Sequence, residues 1–179
     1  MLDATRESLA SLPLWAQALV AVRMARRVAL ALLAGADLDL AHRACDAIEA
    51  CAAEGDGTHR HKALFGRLGD RRGTSAAFES LWLAADSACA AEAANDFPVD
   101  AIVTASAWRS IAAAADDPRI SRIQVAVLLA ADLDLVRFAC AESGVQTYAG
   151  LGPAVLSRLT PTHPLTPAAP PPSPESHHR

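Results

Sequence analysis

The chain has 179 residues, 52% hydrophobic but only 4% aromatic, and a net charge of −4. That length suits one domain with one core, and a composition that is roughly a quarter alanine favours helix packed on helix over a sheet. The charge excludes the body as an electrostatic binder of nucleic acid, and no apolar run reaches the about 20 residues of a membrane span.

In chain order, Pro13 suits the first position of a helix from Leu14 to about Leu33, with Ser11 near enough to cap it. Ala18, Val22, Ala25, Ala29 and Leu32 share one stripe of it, and Arg23 and Arg27 lie opposite, one turn apart. The helix is apolar almost all round, which predicts a central position. The residues from Leu2 onward read as a continuous start to the same helix. Read from Met24 instead, "MARRVALALLAGADLDLA" has the basic start, apolar run and small-residue site of a signal peptide; the continuous helix favours translation from Met1.

Gly35 ends the first helix, and an aspartate opens a second over about Leu40 to Glu54, with Leu40, Ala44, Ile48 and Cys51 inward. The stretch "GDGTHRHKALFGRLGDRRGTS" follows, broken by Gly55, Gly57, Gly66, Gly69 and Gly73 around one possible turn at Lys62 to Leu68. From Asp56 to Arg72 it carries five basic and two acidic residues, leaving −7 on the rest of the chain. A third helix spans Ser75 to about Ala94. "NDFP" caps a fourth from Pro98 to Ala115, and "DDP" a fifth from Pro118 to Ser143, stopped by Gly144. A short last helix starts at Pro153. Beyond it, Pro161, Pro164, Pro167 and Pro170 recur with a period of three, the pitch of polyproline II, and Arg158 with Pro161 and Pro164 meets the pattern of an SH3 ligand inside an otherwise flexible extension.

One decapeptide recurs: "ADLDLAHRAC" from Ala36 and "ADLDLVRFAC" from Ala131 share seven residues at an offset of 95. Duplication of a helix–cap–helix unit and coincidence in an alanine-rich chain both account for it. In either case the acidic pairs read as caps: Asp37 or Asp39 for the second helix, and Asp132 or Asp134 for a new helical segment. A straight fifth helix would run about 39 Å, comparable with the whole domain, which predicts a break near Asp132.

Chemistry-bearing residues are sparse. His59 and His61, with Asp56, are a fragment of a metal site that lacks further ligands. His42, Cys45 and Glu49 share a flank of the second helix and sketch a Cys–His pair, against the reading of Cys45 as core and His42 as surface. The four cysteines, Cys45, Cys51, Cys89 and Cys140, sit in helical segments and read as reduced, cytoplasmic thiols. No phosphate loop, dinucleotide fingerprint or hydrolase elbow is present, and no cofactor is expected. Arg60, Arg67, Arg71 and Arg72, with His59 and His61, make a cationic loop on an acidic body, suited to carboxylates of a protein partner.

The helix "LPLWAQALVAVRMARRVALALL" followed by "DLAHRACDAIEACAAEG" resembles bacterial all-α families described as immunity proteins. The matching residues are Trp15, Arg23, Arg26, Arg27, Ala44, Ala47 and Ile48, over about the first 55 residues, with "ALAL" standing where those families end the helix in Pro-Leu-Phe. The resemblance implies that the chain binds and neutralises a partner toxin. The expectation is therefore a single-domain all-α bundle of five to six helices over residues 1–160 and a disordered Pro-rich tail over 161–179. It acts by protein binding through the cationic loop. The alternative is a small enzyme or ligand or metal regulator using His42 and Cys45 or His59 and His61.

Overall fold

The computed structural model describes residues 2–94 and 99–166, and every regular element among them is helical. Eight α-helices follow in order: α1 (Leu2–Ala10), α2 (Leu14–Leu32), α3 (Gly35–Glu54), α4 (Lys62–Asp70), α5 (Ala76–Ala93), α6 (Asp100–Ala114), α7 (Arg122–Ser143) and α8 (Gly152–Leu156). A 3-10 turn at Thr58–His61 leads into α4. Two more helices than expected arise because α1 is separate from α2 and the glycine-rich stretch is itself helical. Among the described residues no helix is long and apolar enough to cross a membrane.

Why α1 and α2 separate is local. Pro13 stands at the N-cap of α2, with extended ψ, rather than inside its first turn. Ser11 turns its hydroxyl back to the Ser8 carbonyl, at 2.8 Å, and caps nothing. Gln17, buried in the first turn of α2, donates through its side-chain amide to Leu12 O at 3.0 Å and so fixes the corner.

α2 is central, as its all-round apolarity predicts: it packs against α3, α5, α6 and α7, and Trp15, Leu19, Met24 and Val28 are fully buried. Alanine and serine allow α5 and α6 to approach closely. Ser80 and Ser110 each donate to the other's carbonyl, at 2.9 and 2.8 Å, which satisfies two hydroxyls that would otherwise be buried without partners. Ser75 caps α5 by accepting from Phe78 N at 3.2 Å, and Gly144 ends α7 in the left-handed region at φ 64°.

The expected break near Asp132 is absent. α7 is one helix of 22 residues, about 33 Å at the usual rise, and it starts later than expected. Ser121 is its N-cap, accepting from Gln124 N, while Asp117 instead binds Arg119 N at 2.9 Å in the preceding turn. Asp132 lies in mid-helix and is 2% exposed, so it is not a cap. The arginines expected on the outer side of α2 meet it: Arg23 Nε and Arg27 Nη2 both stand 3.0 Å from Asp132 Oδ1. Arg23 and Arg27 are themselves 4% and 6% exposed. The two "ADLDL" segments thus do different work, since Asp37 sits in the first turn of α3 and Asp132 in the core.

The chain after α8 does not leave the body at once. Thr160 O accepts from Arg23 Nη1 at 3.0 Å, and Leu165, 1% exposed, donates its N–H to Arg27 O at 3.4 Å. The segment 160–166 therefore packs along α2, where a free tail was expected from 161. Pro167, Pro170 and the rest of the tail, with the "NDFP" cap, lie outside the described residues.

Candidate functional site

The cationic stretch is a built element rather than an open loop. Glu92, near the end of α5, accepts from Gly57 N at 2.9 Å, from Thr58 N at 3.1 Å and from the Thr58 hydroxyl. A carboxylate facing the leading N–H groups of the 3-10 turn opposes their positive end and fixes where the turn begins. His59 Nδ1 lies 3.5 Å from the same carboxylate, with its side chain 75% exposed. Gly57, at φ 96°, takes the left-handed conformation needed to enter the turn.

Three of the expected cations are used internally. Arg60 pairs with Glu54 and, at 3.0 Å, with Asp56. Arg71 pairs with Asp37 at 2.6 Å and lies over the Phe78 ring at 4.9 Å. Arg72 reaches both oxygens of Glu79 at 3.2 Å and stacks 3.9 Å above the Trp82 ring. The planar guanidinium suits both contacts at once. Arg71 and Arg72 thereby clamp the end of α4 to α3 and α5.

What remains outward is a smaller set. Lys62 and Arg67 are exposed and make no ion pair or hydrogen bond among the described residues. His61 is half-buried beside Phe65, their ring centroids 6.0 Å apart. Between α4 and α5 runs a groove of about 480 Å³ whose walls include His59, Lys62, Phe65, Trp82 and Cys89. Phe65 and Trp82 are only partly buried there. Of the six residues expected at the site, His59 lines this groove, His61 packs against its Phe65 wall, Arg67 is exposed elsewhere on α4, and Arg60, Arg71 and Arg72 are held in internal ion pairs. Phe65 and Trp82 line the groove, and Glu92 anchors the turn that carries His59.

The chemistry sketched for α3 is not assembled. Cys45 is fully buried, and burial pushes its thiol up to about 12, far from a thiolate nucleophile at neutral pH. His42 lies at the half-buried edge of the same helix. Among the described residues no group of three or more His, Cys, Asp or Glu side chains is placed to hold a metal ion. No family model, curated protein or solved structure matches the chain.

Proposed function

We propose that the protein works by binding another protein through the outer face of α4 and the groove beside it. One observation carries this reading: Arg71 and Arg72 fix α4 in place, leaving Lys62 unneutralised in a groove with two partly exposed aromatic rings, and Arg67 unneutralised on the same helix. Aromatic anchors on a surface that also carries unpaired cations suit an interface that selects an acidic partner. A rigid helix also loses less freedom on binding than the glycine-rich loop expected from sequence. The resemblance of α2 and α3 to immunity proteins implies a toxin as that partner, and the groove asks of it an acidic, apolar-centred surface.

The test is co-purification followed by charge reversal. Lys62→Glu with Arg67→Glu should weaken binding of the recovered partner at least tenfold and reduce its salt dependence, because two attractions become repulsions. An unchanged affinity overturns the surface. Recovery of the protein only as a self-association product, with no heterologous partner, overturns the function.

A further inference from the structure

A second concavity, of about 400 Å³, lies on the other side of α2, between α3, α8 and the segment 159–162. Its charges are separated in an unusual way. Arg23, which lines it, is one of two buried guanidiniums, with Arg27, that share the single carboxylate of Asp132, and all three contacts fall on Oδ1, at 2.9 to 3.0 Å. Arg27 Nε and Nη1 and Asp132 Oδ2 have no hydrogen-bond partner. This buried trio, reached from the cleft through Arg23, carries one positive charge in excess, in a place where an uncompensated charge is costly.

At the mouth the balance is reversed. Asp46 Oδ1 and Glu49 Oε2 both grip Arg26 Nη2, at 2.9 and 3.1 Å. Two carboxylates against one guanidinium leave one negative charge in excess, and Asp46 and Glu49 keep oxygen lone pairs toward solvent. Arg23 connects the two layers: it lines the cleft, and its Nη1 uses one N–H on Thr160 O, leaving a second. His42 stands at the same mouth, and Leu30, Leu156 and Leu159 supply apolar wall. The size falls within the range of small-molecule sites.

We infer that this cleft binds a small zwitterion, an aliphatic α-amino acid, with its carboxylate toward Arg23 and its ammonium toward Asp46 and Glu49. A plain anion would meet the acidic mouth, and a plain cation would meet Arg23, which belongs to the net-positive trio. Only a ligand carrying both charges complements both, and the leucine walls favour a branched aliphatic body.

Three near-isosteric probes separate the possibilities in calorimetric titrations of the full chain: leucine, 4-methylpentanoate without the amine, and 3-methylbutylamine without the carboxylate. Leucine should bind with one site per chain and at least tenfold more tightly than either analogue. His42→Trp, which fills the mouth without touching the buried charges, should abolish binding while the fold persists by circular dichroism. Asp46→Asn with Glu49→Gln should remove the preference for leucine over 4-methylpentanoate. The inference is overturned if leucine shows no binding, if all three probes bind alike, or if binding survives His42→Trp.

Discussion

Arg23 on α2 and Asp132 on α7, 109 positions apart, meet in the core at 3.0 Å. With Arg27 at the same oxygen, the contact ties the central helix to the last long one through charge. Removing the carboxylate leaves two cations buried without a counter-charge. Asp132→Ala is therefore expected to cost about 3–5 kcal/mol, measured by urea unfolding. Replacing all three with Met, Leu and Leu should recover most of that loss, because desolvating the trio offsets much of its attraction.

How much of this was legible from sequence divides along one line. Only some of the signals that act within a turn were readable: Ser75 before α5, Gly144 after α7 and Pro153 in α8 stand where their chemistry requires, whereas Ser11 and Asp117 cap no helix and Gly35, expected to end the first helix, opens α3 instead. Asp132 misled for the same reason, since an Asp-x-Asp after an apolar run is a good local cap, and nothing local announces two arginines from a helix 109 residues earlier. The cationic stretch was visible as a charge run. Its neutralisation was not, because Asp37, Glu79 and Glu92 arrive from other helices.

The turn before α7 should report acid. Asp117 sits below its ordinary 3.8, chiefly because the Arg119 side chain donates to it, with Arg119 N adding a second bond. A depressed carboxyl contributes stability that is present above the unfolded-state value and is lost as pH falls through the folded one. The difference in unfolding free energy between the wild type and Asp117→Asn should hold steady near about pH 6 and shrink below about pH 4. A difference independent of pH would show that the pair contributes nothing.

Thiol labelling should single out Cys89. It is the exposed cysteine, whereas Cys45, Cys51 and Cys140 are buried. Burial raises Cys51 to about 11 and Cys45 to about 12, so both lack thiolate as well as access. Native-state maleimide treatment followed by peptide mapping should modify Cys89 first, and slowly at neutral pH, since partial burial also raises its thiol. Fast labelling of Cys45 would instead revive the Cys–His reading of α3.

The clamp on α4 predicts local rather than global loosening. Arg71→Ala with Arg72→Ala deletes the pairs to Asp37 and Glu79 and the stacking on Phe78 and Trp82. Cation–π contacts at such exposed sites contribute about 0.5–1 kcal/mol each. Amide exchange over 62–70 should therefore rise roughly tenfold, with the slowest amides of α2 unchanged. If α4 stays as protected as before, Leu68, fully buried in the core, holds it alone.

Last, the return of the chain from α7 rests on two glycines meeting face to face. Leu151 N donates to Ala52 O at 2.8 Å, which brings the backbone at Gly150 onto the end of α3. A Cβ on Gly150 would sit 2.6 Å from the Glu54 carbonyl oxygen, and one on Gly55 2.8 Å from Gly150 Cα. The atoms met are backbone, so no side chain can swing away. Gly150→Ala should cost about 1–3 kcal/mol as an overpacked contact. Gly55→Ala should cost at least as much, because φ 79° at that helix end adds left-handed strain to the clash. Since Leu151 and Val155 are buried just beyond the contact, either change should also loosen α8. Exchange at 151–157 rising together with the loss of stability would establish that the glycine contact, and not α8 itself, sets where the chain returns to the core.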